Sequence, residues 1–272
     1  MVGYRQFHGL ARPPFGKSLE AGHLLLYPQL QELCEELDEL VLEGGVGLLT
    51  GEMGIGKTTA LRHYFNLLQK QSLQLQVAYS GSSRHSVALL AGLVEALGTV
   101  PSHSRVSLLR QLSHHIERTY REQRKKTLLV VDDAHLVEDG MLEDIRLATN
   151  FGMDSEDAVV VVLVGHPSLR ARLAKPVHLA LLDRVRLHYK LEGLSEDETS
   201  AYIDHHLKQA GGRSETFAKA AKRAIWEHSG GIPRRINALA LIALKKSTSR
   251  KLTSIDTAFI KTMLPMLIQN HS

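Results

Sequence analysis

The sequence is poor in several residue types that would narrow its class. Among 272 residues it has one cysteine, one tryptophan and only 5% aromatic residues. The lone cysteine, Cys34, excludes an internal disulfide, which makes a reducing compartment the default and predicts a cytoplasmic protein. No apolar run reaches the roughly 18 residues that a transmembrane helix requires, and the N-terminal residues lack the apolar stretch of a signal peptide. We therefore expect a globular protein of the cytoplasm with no membrane partner.

Metal-ligand spacing is also absent, although the chain has 15 histidines. Pairs such as His114–His115 and His205–His206 are adjacent, so on a helix their side chains point about 100° apart. No cysteine partner and no H-E-x-x-H arrangement accompanies them. Their spacing favours surface or boundary positions over a zinc site.

The sequence does contain GEMGIGKTT at 51–59, which fits the pattern G-x-x-x-x-G-K-[ST] and is called the phosphate loop below. An apolar run that predicts a strand precedes it, and a run with helical spacing follows it. Glycines let successive N–H groups converge on an anion, Lys57 neutralises the outer phosphates, and the Thr58 hydroxyl can bind Mg²⁺. The pattern predicts an ATP and Mg²⁺ site formed by Gly51, Glu52, Met53, Gly54, Ile55, Gly56, Lys57, Thr58 and Thr59.

A second motif, LLVVDDAH, ends an apolar strand in two carboxylates. Asp132 is predicted to hold Mg²⁺ beside the phosphate loop, directly or through water. Asp133 stands where a catalytic base would polarise the attacking water. Many ATPases with this pair of motifs have glutamate at this position. Aspartate is one methylene shorter, so either the attacking water lies closer or hydrolysis is slow.

Polar residues at two further places could respond to the γ-phosphate. His166 ends the apolar run AVVVVLVG, and the alternative is that it is only a turn residue before Pro167. Arg234 follows Pro233 in SGGIPRRIN, so it lies at a predicted helix N-terminus that could close over the phosphates.

An arginine before the last predicted strand could act on a neighbouring subunit. Arg184 lies in LLDRVRLHYKL, and an arginine inserted into a neighbour's site would stabilise charge on the transferring phosphoryl group. Arg186 is the alternative, and an ordinary surface arginine at a helix end is the other interpretation of Arg184.

Apolar strands alternate with helical patterns over the first 192 residues, which favours a parallel sheet covered on both faces. The five predicted strands are 45–50, 75–80, 127–133, 158–165 and 185–191. After Ser195 the strand pattern stops, and the predicted helices are 195–210, 214–228, 233–246 and 253–269. We expect an α/β domain, residues 1–192, with a five-stranded parallel sheet flanked by helices and an irregular N-terminal segment. A small all-helical lid, residues 193–272, would follow.

Nucleic-acid contacts have weaker support in the sequence. The net charge is +4, and basic residues exceed acidic ones only in residues 190–272. No base-reading motif is present, so binding to double-stranded DNA would be directed at the backbone and sensitive to salt. A solvated helix face is the alternative interpretation of the basic run RTYREQRKK. The candidate DNA contacts are Arg84, Arg118, Arg121, Lys125 and Lys126.

Taken together, these motifs resemble the ExeA-type branch of the AAA+ ATPases. The resemblance covers nearly the whole chain, from the N-terminal F-x-G-L…P-F element to SGGIPRRIN. It implies an AAA+ fold, the Mg²⁺-site role of Asp132, the catalytic role of Asp133, an arginine finger at Arg184 and a lid sensor at Arg234. Two departures, Asp133 for glutamate and His166 for glutamine, bear on the rate of hydrolysis more than on binding.

Two functions accompany this branch. One is a secretion-associated ATPase, which normally continues into a membrane span. The other is a short ATPase similar to the transposition regulators TniB, TnsC and MuB, which assemble with ATP on DNA. Since the sequence stops after the lid, we expect the second role: self-association into a ring or filament on DNA, with a transposase and a target-selection protein as partners. The alternatives are the secretion role, an ATP-binding assembly switch with negligible hydrolysis and, least favoured, a small-molecule kinase.

Overall fold

A computed structural model describes residues 3–16, 24–70, 75–81, 85–148 and 157–263. The chain divides into two compact units. The α/β unit consists of Pro28–Met53 and Lys57–Leu191. The helical unit consists of Met1–Tyr27, Gly54–Gly56 and Glu192–Ser272.

The α/β unit is built on one five-stranded parallel sheet, as predicted. Its strands are β1 (Gly45–Gly51), β2 (Leu75–Ser80), β3 (Lys126–Val131), β4 (Val159–Gly165) and β5 (Val185–Leu191). Their order in the sheet is β2-β3-β4-β1-β5. Every residue of β4 is buried, which explains its continuous run of valines, whereas the edge strand β5 exposes Arg186, His188 and Lys190. Charged side chains on an edge strand discourage pairing with a further strand.

Helices cover this sheet. They are α2 (Pro28–Glu43), α3 (Lys57–Lys70), α4 (Ser86–Ala96), α5 (Arg105–Gln123), α6 (Asp139–Ala148), α7 (Ser168–Leu173) and α8 (Leu179–Leu182). The longer ones bury residues at helical spacing, such as Leu108, Leu112 and Ile116 of α5. These side chains join the apolar strand residues in one core.

The helical unit contains α1 (Tyr4–Phe7), α9 (Glu196–Gln209), α10 (Lys219–Ser229), α11 (Pro233–Ser249) and α12 (Thr257–Met263). A capping box starts α9: the Ser195 hydroxyl accepts from the Glu198 N–H, and the Glu198 carboxylate accepts from the Ser195 N–H. None of the helices in the described ranges is long and apolar enough to cross a membrane.

Two of the predicted lid helices begin later than expected. We predicted helices over 214–228 and 253–269, but α10 starts at Lys219 and α12 at Thr257. The residues before them form a short parallel bridge between Phe217 and Ile255. Ser214–Thr216 form one turn of 3₁₀-helix, and the Ala218 N–H then donates to the Ile255 carbonyl at 3.0 Å, so backbone pairing delays the start of both α-helices. Residues 264–269 lie outside the described residues.

The N-terminal segment differs from our domain prediction, which assigned it to the first domain. Leu10 and Phe15 are buried in the core of the helical unit. The Ala11 N–H donates to the Ala210 carbonyl at 2.8 Å, and the Arg12 guanidinium contacts Gln209. The buried residues of this segment therefore pack against residues about 200 positions later in the sequence.

A buried histidine should make the helical unit sensitive to acid. The His206 ring stacks on Phe15 with 5.2 Å between centroids and lies 4.3 Å from the Tyr202 ring. Burial, aided by His205, lowers the pKa of His206 to about 4. An unfolded histidine has a pKa of about 6.5, so between these values the unfolded chain binds more protons and stability falls as pH falls.

We expect the unfolding free energy to drop by about 2–3 kcal/mol between pH 7 and pH 4.5 through His206. Urea unfolding followed by fluorescence of Trp226, the only tryptophan, reports on this unit. His206→Leu should weaken this pH dependence, while the control His114→Leu, at an exposed position of α5, should keep it in full. Equal pH dependence in both variants would contradict this assignment.

Candidate active site

The predicted phosphate-site residues meet at the carboxyl ends of three neighbouring strands. Lys57 and Thr58 follow β1, Asp132 follows β3, and His166 follows β4, the strand between them. In open parallel sheets, ligands bind at the carboxyl ends of the strands. The strand order therefore brings together residues that are more than 70 positions apart in sequence.

Lys57 lies at the first position of α3 and points its ammonium group back into the phosphate loop. Its Nζ donates to the Gly51 carbonyl at 2.7 Å and to the Glu52 carbonyl at 3.1 Å. A phosphate bound at this helix N-terminus would compete with those carbonyls for the ammonium group. The side chain is thus held where the outer phosphates of a nucleotide would need a cation.

The middle of the phosphate loop, Gly54–Gly56, belongs to the helical unit and contacts the start of α11. The Arg234 backbone N–H donates to the Gly54 carbonyl at 3.2 Å. A β-carbon on Gly54 would lie 2.6 Å from the Arg234 β-carbon, and Gly54 has a φ of +83°. Glycine is required at this position for both reasons. The guanidinium role predicted for Arg234 stays a prediction.

The two predicted magnesium ligands are hydrogen-bonded to each other. The Thr58 hydroxyl donates to Oδ2 of Asp132 at 2.9 Å, and Oδ1 accepts the Asp133 backbone N–H at 2.9 Å. Asp132 is only 7% exposed. A carboxylate and a hydroxyl are oxygen donors of the kind that Mg²⁺ prefers, with phosphate and water completing its shell. The residues present therefore fit a nucleotide-bound magnesium ion.

Tyr79, near the end of β2, was missed by sequence reasoning. Its hydroxyl donates to Oδ2 of Asp132 at 2.8 Å, so this oxygen receives two donors. Burial raises the pKa of Tyr79, and the hydrogen bond to Asp132 and the charge of Asp133 add to the rise. A protonated tyrosine keeps donating, which holds the carboxylate in one orientation. Only the pairing of β2 with β3 could have revealed this contact.

Asp133 begins a tight turn directly after Asp132. Its φ of +50° lies in the left-handed region, and residues Ala134–Leu136 form one turn of 3₁₀-helix behind it. Such a conformation in a residue other than glycine is uncommon and clusters at functional sites. Its side chain is half-buried, and its predicted role as the base stays a prediction.

His166 is placed by its own turn and by a second histidine. Its Nδ1 accepts the Ser168 N–H at 3.3 Å and lies 3.1 Å from the Ser168 hydroxyl, while its Nε2 lies 3.7 Å from a Glu52 oxygen. The His166 backbone N–H donates to Nδ1 of His135 at 3.4 Å. Burial lowers the pKa of His135; Asp133 opposes that shift, while His166 and Lys57 add to it.

The structure separates the candidate arginines from the phosphate loop of their own chain. The Val46 N–H, at the start of β1, donates to the Arg184 carbonyl at 3.1 Å. The phosphate loop begins at the other end of β1, about 20 Å away for a seven-residue strand. Arg186 donates to the carbonyl of Glu43, the last residue of α2. The finger role predicted for Arg184, with Arg186 as its alternative, stays a prediction.

The candidate DNA contacts differ in their exposure. Arg118 and Arg121 are exposed on α5, although Arg121 pairs with Glu117 at 3.1 Å. Lys125 is half-buried beside β2. Arg84 lies outside the described residues.

Lys126, the last of the candidate DNA contacts, has hydrogen-bond partners within the chain. Its ammonium group donates to the carbonyls of Val41 and Leu42, at 3.0 and 2.7 Å, at the end of α2. Burial lowers the pKa of Lys126, with Arg186 adding to the shift and Asp157 opposing it. A lysine that caps a helix C-terminus in this way has a structural role.

Comparisons with known proteins agree with this fold. Residues 41–173 match the family described as an AAA domain. The chain is 33% identical over 259 residues to the general secretion pathway protein A of Aeromonas hydrophila. That match covers 93% of this chain but 47% of the relative, so the chain spans about half the relative's length.

Solved structures share the fold at low sequence identity. Cdc6p of Pyrobaculum aerophilum is 18% identical with a TM-score of 0.68, and the match covers 89% of this chain and 67% of that one. The ORC1 protein of Aeropyrum pernix, solved in complex with DNA, is 15% identical with a TM-score of 0.67, and covers 91% and 67%. The chain therefore carries an AAA domain with the fold of P-loop ATPases, and it is similar in sequence to a general secretion pathway protein A.

Proposed function

We propose that the chain hydrolyses ATP in a Mg²⁺-dependent reaction and acts as an assembling ATPase of the ExeA type. The observation that carries the proposal is the bond between Thr58 and Asp132, formed next to an ammonium group already turned into the phosphate loop. These residues supply the oxygen donors and the cation that a magnesium nucleotide needs.

Each residue has a defined task in this proposal. Lys57 neutralises the outer phosphates, while Thr58 and Asp132 hold Mg²⁺, which would supply further neutralisation of the phosphate charge. Asp133 orients the attacking water and accepts its proton on a carboxylate oxygen. His166, whose Nε2 lies 3.7 Å from Glu52, would contact the γ-phosphate.

The second half of the site is proposed to come from another copy of the chain. Arg184 lies at the amino end of the sheet, so it cannot serve the phosphate loop of its own subunit without a large movement. An arginine inserted from a neighbour would stabilise the charge that develops on the transferring phosphoryl group. ATP would thereby favour assembly, because only the triphosphate state connects two subunits.

The biological setting that we propose is the secretion apparatus. Its support is the 33% identity to a protein named for the general secretion pathway. Our main expectation from the sequence, regulation of transposition together with a transposase and a target-selection protein, stays a prediction that rests on motif resemblance alone. DNA binding has the exposed Arg118 and Arg121 in its favour, and the ORC1 protein shares only the fold.

Arg184→Ala tests the shared site. We expect ATP turnover per native subunit to rise with protein concentration, and turnover by Arg184→Ala to fall about 10³-fold and stay flat. Arg186→Ala is the matched control and should keep most of the activity. Mixing Arg184→Ala with Asp133→Asn should restore activity, since each variant contributes the part that the other lacks. Full activity of Arg184→Ala, or a mixture without activity, would refute the shared site.

A further inference from the structure

The turn that carries Asp133 contacts the segment after β4 through one residue, His135. His135 accepts the His166 N–H on its ring at 3.4 Å, and its backbone carbonyl accepts from Nη1 of Arg172 at 3.3 Å. A β-carbon on Gly165 would lie 3.3 Å from the His135 backbone nitrogen. The two segments therefore touch at backbone level, with His135 between them.

The backbone conformation of this turn requires stabilising contacts. Asp133 has a left-handed φ of +50°, and the turn behind it is closed by a hydrogen bond from the Leu136 N–H to the Asp133 carbonyl at 2.8 Å. A conformation of this kind is unfavourable for a residue other than glycine and persists only where the surroundings stabilise it. The contacts of His135 are part of those surroundings.

Arg172, the second contact of His135, is itself anchored. Its Nε donates to Oδ1 of Asp139 at 3.0 Å, and its Nη2 also contacts that oxygen. His178, which is only 3% exposed, lies with its Nε2 3.0 Å from the same oxygen. Asp139 of α6 therefore fixes the position of the guanidinium group, which donates to the His135 carbonyl.

We propose that His135 is a positioning residue for ATP hydrolysis: it ties the turn bearing Asp133 to the end of β4, where His166 lies. The inference rests on the proposed function, because it assumes that Asp133 orients the attacking water. The Asp133 carboxylate keeps its orientation as long as the His135 ring accepts the His166 N–H. It loses that orientation when this hydrogen bond is removed. Nucleotide binding uses other residues, so it does not depend on His135.

The test compares three variants of the full chain. His135→Leu removes the ring acceptor and should lower turnover at saturating ATP by about 10²-fold, the cost of a small misplacement of a reacting group. Affinity for a fluorescent ATP analogue with Mg²⁺ should stay at the native value. His135→Asn places an amide oxygen near the position of Nδ1 and should restore most of the turnover. His114→Leu, the exposed control, should behave like the native chain.

Three results would overturn the inference while leaving the proposed function intact. They are native turnover in His135→Leu, a parallel loss of nucleotide affinity in that variant, and His135→Asn no better than His135→Leu. Failure of the proposed function would be distinguishable, since the native chain would then release no phosphate before any variant is compared. That result would overturn the inference as well.

Discussion

Replacing Lys57 by alanine is expected to remove measurable ATP binding. The Lys57 ammonium group lies 2.7 Å from the Gly51 carbonyl, inside the loop where the outer phosphates would bind. Removing a hydrogen-bonded cation from an ion pair costs about 2–5 kcal/mol, and 4 kcal/mol corresponds to about 10³-fold in affinity. Titration of a fluorescent ATP analogue in the presence of Mg²⁺ measures the change.

Lys70→Ala is the matched control for this experiment. Lys70 is an exposed lysine in the last turn of the same helix, α3, so the net charge changes equally. Its affinity should equal that of the native chain. If Lys57→Ala still bound the analogue within a few-fold of the native value, the phosphate loop would not be the nucleotide site.

Asp133→Asn should separate hydrolysis from binding. The variant keeps the size of the side chain but loses the ability to accept a proton, and general-base catalysis contributes about 10²- to 10⁴-fold. Phosphate release should fall by that factor while affinity for the nucleotide stays unchanged. Asp197→Asn, at an exposed position in the first turn of α9, is the control and should turn over normally.

Asp133→Glu then distinguishes an ATPase from an assembly switch. Glutamate reaches one methylene further, as in many related ATPases. Slow native turnover that glutamate accelerates would support the switch alternative, in which the chain mainly holds ATP. Turnover by Asp133→Asn at the native rate would remove Asp133 from the mechanism altogether.

The parts of the fold that could be predicted are those with local signals. The apolar run of β4 is enough to indicate a buried strand, and the glycine pattern is enough to indicate the phosphate loop. The prediction of a five-stranded parallel sheet, which rests on such local runs, is confirmed. Long-range pairing has no local signal. The bridge between Phe217 and Ile255, and the burial of Phe15 in the helical unit, depend on residues distant in sequence. Periodicity alone therefore placed the starts of α10 and α12 too early.

The same distinction holds for the candidate site. Lys57, Thr58 and Asp132 belong to recognisable motifs, and the structure brings all three together. Tyr79 and His135 belong to no such pattern, because their contacts depend on which strands are neighbours. The contact of Lys126 with the end of α2 likewise has no signal in the basic run that contains it.

The central claim is that this site uses Mg²⁺ and Asp133 to hydrolyse ATP. The most direct measurement is phosphate release from ATP by the native chain, with Mg²⁺ and with a chelator, over a range of protein concentrations. We predict release that requires Mg²⁺ and rises per subunit as concentration increases. No release with Mg²⁺ at any concentration, or equal release with the chelator, would contradict the claim.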